Sequence, residues 1–103
     1  MMPYYVVYAV DKIDAMDVRD ANRIAHRARL RTPEMALTVH VGGPMTDAKN
    51  QMIGTMLVIE AASQDVVECF IAADPYSVAG LYEHVDICPF VWGLGQPEAI
   101  AHG

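Results

Sequence analysis

No apolar run in this chain approaches the roughly 20 residues that cross a bilayer as a helix, so a membrane partner is not expected. The start, MMPYYVVYAV, carries neither a basic leader nor a small-residue cleavage site, and the expectation is a cytoplasmic protein. Cysteine is scarce. Cys69 and Cys88 are far apart, lack CxxC spacing and sit among apolar neighbours, which excludes a disulfide framework and suggests reduced packing residues. The histidines, His26, His40, His84 and His102, show no HxH, HxxxH or HExxH spacing, so no metal is expected. A P-loop, a GxGxxG and a GxSxG are all missing, and the GLG at 93–95 opens no helix. Nucleotide-dependent and serine-hydrolase chemistry are therefore disfavoured, and no cofactor is expected. Positive charge is also in short supply: the net charge of −6 argues against a nucleic-acid partner, which needs a concentrated basic surface.

What the chain does have is enough apolar residue for one core. Its 103 residues suit a single domain, and the 53% that are hydrophobic fall in periodic blocks rather than low-complexity runs, which argues against disorder. YYVVYAV (4–10) reads as a strand. From Met16 to Arg31, Ala21, Ile24, Ala25 and Ala28 recur at helical spacing, the stripe expected to face a core. Asp14 or Asp17 would cap this helix and Thr32-Pro33 would end it. MALTVHV (35–41) reads as a second strand ending at Gly42-Gly43-Pro44, and MIGTMLVIEA (52–61) as a buried third. Ser63 would cap a helix burying Val66, Val67, Phe70 and Ile71. A short turn or helix follows Asp74-Pro75, and YEHVDICPF (82–90) is the last strand. The order β-α-β-β-α-β predicts an α+β, ferredoxin-like split βαβ with a four-stranded antiparallel sheet and helices on one face. In so small a domain the bare sheet face favours a second copy, so a homodimer is expected.

The positive charge is concentrated. Between Arg19 and Arg31 stand five arginines and a single acid, Asp20, so this window carries +4 and the remainder −10. At about 100° per residue, Arg19, Arg23, His26 and Leu30 share a side of the helix away from the Ala21/Ile24/Ala25/Ala28 stripe. Two readings stand for that side. It is a solvated arginine face, or it is a cleft edge where His26 moves protons and Arg19 or Arg23 attracts an anionic or enol-bearing substrate. Asp74 poses the same choice, because Asp before Pro is also a favoured helix start.

HRARL at 26–30, GGP at 42–44, GT at 54–55, ADPYSVAGLYEHV at 73–85 and CPF at 88–90 together resemble the YCII-like family of small ferredoxin-like dimeric proteins, related to the dimeric α+β barrels. The resemblance covers residues 4–90 in order, implying a domain over 1–90 with 91–103 as its C-terminal extension. It implies His26 and Asp74 as a catalytic pair, with Asp74 fixing the imidazole tautomer, and a substrate pocket holding Gly54, Thr55, Arg23 and Tyr76. Gly54 would let a ligand approach the strand, and the Thr55 hydroxyl would orient it. Thr55 stands where the family has serine, and Cys88 where it has lysine. Trp92, beyond the family pattern, is expected to close the pocket or reach a partner subunit. The family includes a dehydrochlorinase acting on a chlorinated hydroxyhydroquinone. The implied function is a cofactor-independent acid/base enzyme, eliminating or isomerising an aromatic or enol-type small molecule. A non-catalytic metabolite-binding or accessory dimer is the other reading.

Overall fold

The computed structural model describes residues 2–32 and 36–97. Strand β1 (Tyr4–Asp11) is followed by helix α1 (Met16–Arg31), β2 (Leu37–Thr46), β3 (Met52–Ala61), α2 (Gln64–Ala72), the single turn α3 (Pro75–Val78) and β4 (Tyr82–Phe90). The strands form one sheet in the order β2-β3-β1-β4, antiparallel throughout. Each helix thus carries the chain over an intervening strand, which is the ferredoxin-like arrangement. No helix among the described residues is long and apolar enough to cross a membrane.

Alternation along the strands places the core. Tyr5 and Val7 of β1 meet Leu37 of β2 and Leu57, Ile59 and Ala61 of β3, and the cluster is closed by Val67, Phe70 and Ile71 of α2. Ser63 caps α2 by accepting from the Val66 N–H at 3.4 Å. Val66 itself is only partly buried, because the helix turns Val67, Phe70 and Ile71 inward.

Four expectations are corrected. Strand β2 does not stop at Gly42 but runs through Gly42-Gly43-Pro44 to Thr46, paired with β3; it lies at the sheet edge, where a proline's missing N–H breaks no ladder bond. Neither Asp14 nor Asp17 caps α1, whose N-cap is Ala15 without a side-chain bond, while Asp14 sits at φ +58° in the turn before it. Cys69 and Cys88 are free thiols, but exposed rather than packed.

The fourth concerns α1, which lies the other way up. Ile24 is 85% exposed and Ala21, Ala25 and Ala28 face solvent, while Arg19 and His26 are buried at 2% and 5% exposure. The reason is what lies beneath. Asp11, Thr55 and Asp74 are presented to the underside of α1 by β1, β3 and the start of α3. Turning Ile24 inward would stabilise by about 1.5–3 kcal/mol. Leaving one buried carboxylate without its partner costs about 3–5 kcal/mol, so the polar face wins.

Candidate active site

Asp74 is positioned by its own backbone. It is the N-cap of α3, accepting the Tyr76 N–H on Oδ2 at 3.0 Å, with Pro75 in the first helical position. The far end of the turn is closed by two hydrogen bonds, Gly80 N–H to the Ser77 carbonyl and Leu81 N–H to the Tyr76 carbonyl. This Schellman closure needs a left-handed residue, supplied by Gly80 at φ +76°. Leu81 is fully buried and anchors the segment.

Across from it, His26 places Nδ1 at 2.8 Å from Oδ2 and 3.0 Å from Oδ1 of Asp74. A carboxylate only accepts, so Nδ1 carries a proton and donates it to Asp74, and Nε2 is the ring nitrogen turned away from the carboxylate. Nε2 has no hydrogen-bond partner among the described residues and is not one of the buried unpartnered atoms; it opens to a cavity that His26 lines. Tyr76 stacks on the imidazole, centroids 4.0 Å apart and planes 22° from parallel, which fixes the ring from a second direction. Arg29 donates to the Phe70 carbonyl at 2.8 Å and reaches Asp74 Oδ1 at 3.4 Å.

A second buried network floors the cavity. Arg19 donates to both Asp11 oxygens through Nε and Nη2, at 2.8 and 2.9 Å, and Nη2 also donates to the Thr55 hydroxyl at 2.9 Å. Burial alone would lower the Arg19 pKa, but the hydrogen bonds and charge of Asp11 outweigh it and hold the guanidinium above its ordinary value. Arg19 is therefore a permanent cation, its guanidinium carbon 4.7 Å from the centre of the Tyr76 ring. Burial raises the Tyr76 phenol, against the opposing pull of Arg19 and Arg23, and raises Tyr82 further. Both phenols stay protonated at neutral pH.

The cavity itself measures about 400 Å³ and lies between α1 and β2–β3. His26, Thr55, Arg23 and Tyr76 all line it. Gly54 does not: a Cβ there would overlap the Ala9 carbonyl oxygen and the Met45 methyl. The glycine permits close strand packing, and the expected ligand approach over it is corrected. Trp92 packs edge-on against Tyr4 and Phe90, centroids 5.9 and 5.1 Å away, and is not among the lining residues, so it does not close the pocket. Residues 98–103 of the expected extension lie outside the described residues.

Sequence reasoning overlooked Asp11 and the tie from Arg29 to Asp74. Neither has a spacing signal, since Asp11 lies eight residues from Arg19 and Asp74 lies 45 from Arg29.

Comparison with known proteins shows the family. A family model described as the YCII-related domain matches residues 3–91. The chain belongs to the YCII family. Among YCII relatives, Protein YciI of Escherichia coli O6:H1 is 35% identical over 92 residues, covering 84% of this chain and 94% of that protein. An uncharacterized protein of Haemophilus influenzae is 29% identical over 93 residues, covering 84% and 95%. Among solved structures, the 5-chloro-2-hydroxyhydroquinone dehydrochlorinase of Burkholderia phenoliruptrix, in complex with 2,5-dihydroxybenzoquinone, superposes with a TM-score of 0.75 at 31% identity, covering 89% of this chain and 95% of that one.

Proposed function

We propose that this YCII protein is a small acid/base enzyme that needs no cofactor and eliminates or isomerises an aromatic or enol-type small molecule. The observation that carries the reading is His26, held through Nδ1 by Asp74 with Nε2 turned away from the carboxylate and facing a 400 Å³ cavity. In the elimination, Nε2 takes a proton from a ring hydroxyl or activated carbon. Returned to the halogen-bearing carbon, that proton makes the carbon tetrahedral. Loss of a second hydroxyl proton then forms a carbonyl, shifts the adjacent double bond towards that carbon and expels the halide with its bonding pair, so that one hydrogen halide is lost overall. Arg19 and the Thr55 hydroxyl stand where an enolate or phenolate oxygen gains charge, and hydrogen bonds to such an oxygen strengthen as it does. In the isomerisation, the same nitrogen returns the proton to another atom. The dehydrochlorinase superposing on this chain supports the halide version.

The test is turnover of catechol, hydroxyquinol and lactone substrates, chlorinated where possible, with halide release as the readout. His26→Ala is expected to lower the rate by roughly 10²–10⁴, and turnover at the wild-type rate in that variant refutes the proposal.

The reading includes a homodimer. On the sheet face away from the helices Tyr8 is 48% exposed beside the half-buried Val6 and Met56, an apolar surface that a second copy would cover. Sedimentation equilibrium is expected to give twice the chain mass, and a monomer at all concentrations removes this part.

A further inference from the structure

The α1 face that looks into the cavity carries Arg19, Arg23, Arg27 and Arg31 at successive four-residue steps. Like charges at that spacing destabilise a helix, so this row works against the helix's own stability. Arg19 is matched by Asp11. Arg23 and Arg27 have no carboxylate within salt-bridge distance among the described residues. Nor does any acid among the described residues line the cavity. Asp74 lies behind His26, and Glu60 is taken up by His40 at 2.8 Å.

The opposite wall supplies no carboxylate. It is built by Val39, His40, Val41, Gly42, Gly43 and Pro44 of β2, with the His40 imidazole turned to Glu60. Gly42 brings the backbone close, as a Cβ there would stand 2.9 Å from a Leu57 methyl. A positive well with low-dielectric walls, in a protein of net charge −6, concentrates anions and repels cations. Fold stability does not account for it, because the helix is tethered by Arg19, His26 and Arg29 and not by Arg23 or Arg27.

We infer that the cavity is built for a substrate bearing an oxyanion group, a carboxylate or phosphate, held by Arg23 and Arg27 while another part of the molecule meets His26. This rests on the acid/base reading for the role of His26 and deepens it by naming the substrate's class. The arginine fork donates two parallel hydrogen bonds to either oxyanion, and the two arginines stand three residues before and one residue after His26. A single molecule can therefore touch both.

Isothermal titration of wild-type protein with matched pairs tests this without turnover: hydroquinone against 2,5-dihydroxybenzoate, and phenol against phenyl phosphate. The charged member is expected to bind at least about tenfold tighter, and that preference to fall below about threefold in R23Q/R27Q, with the neutral member's Kd nearly unchanged. Circular dichroism of the variant is expected to match wild type, since Arg23 and Arg27 lie outside the core. Whichever charged ligand binds tighter identifies the group. Equal binding within both pairs, a preference surviving in R23Q/R27Q, or no binding by any ligand overturns the inference. The functional reading fails separately. An intact preference without turnover of any substrate removes the enzyme and keeps the oxyanion site, whereas efficient turnover of neutral phenols without preference does the reverse.

Discussion

Two helices cover the same face of one sheet and do opposite things there. Helix α2 sets Val67, Phe70 and Ile71 against Leu57, Ile59 and Ala61 and leaves a dry core. Helix α1 sets Arg19 and His26 against Asp11, Thr55 and Asp74 and leaves a cavity. Both are amphipathic in pattern, but α1 points its apolar stripe outward. The difference separates what holds the domain together from what shapes its cavity. Under α2, stability comes from apolar area removed from water. Under α1, it comes from charge-assisted hydrogen bonds whose partners are supplied by other elements. Arg29 joins the halves, since its guanidinium lies 4.0 Å above the Phe70 ring while it donates to the Phe70 carbonyl.

The comparison can be broken most sharply at Asp74. Asn at that position keeps an acceptor for the Tyr76 N–H, and Asn is as good an N-cap as Asp. In the proposed mechanism it removes the charge that stabilises the imidazolium during proton transfer. Asp74→Asn is expected to keep the fold and to lose roughly 10²–10³ of the rate, a share of what a positioned acid/base group supplies, measured as initial halide release. Unchanged rate would assign Asp74 to capping alone. On the other half, Phe70→Ala is expected to cost about 3–5 kcal/mol in urea unfolding. A loss under 1 kcal/mol would show that α2 is not the stabilising half. The smallest effect has the opposite sign. Arg27→Gln relieves two like-charge contacts, with Arg23 and Arg31, each worth about 0.2–0.5 kcal/mol, so thermal melting is expected to move slightly upward. A lower melting temperature would give Arg27 a structural role.

Much of the α2 half could be read from the sequence, because its rules are local. Ser63 caps, Val67, Phe70 and Ile71 repeat at helical spacing, and the strands alternate. The α1 half could be read only in part. The pattern correctly places Arg19, Arg23, His26 and Leu30 on one side, and all four line the cavity. It misjudges which side faces the sheet, because the rule that an apolar stripe turns inward assumes an apolar surface beneath. Here that surface holds Asp11 and Asp74, distant in the chain, and periodicity says nothing of a partner's charge. Gly54 misled for a related reason: its missing side chain is filled by Ala9 and Met45, which no spacing rule reveals. Strand β2 outran its Gly-Gly-Pro because only topology shows that it is an edge.

Asp74 is held by the peptide of Tyr76, Tyr76 stacks on the base that Asp74 orients, and Gly80 closes the turn behind them. Asp74 and the ring that stacks on His26 thus sit in one contiguous segment, its geometry fixed by the main chain. On the proposed acid/base reading, substitutions that reshape the sheet or the arginine rim would change which molecule is accepted without re-aiming His26.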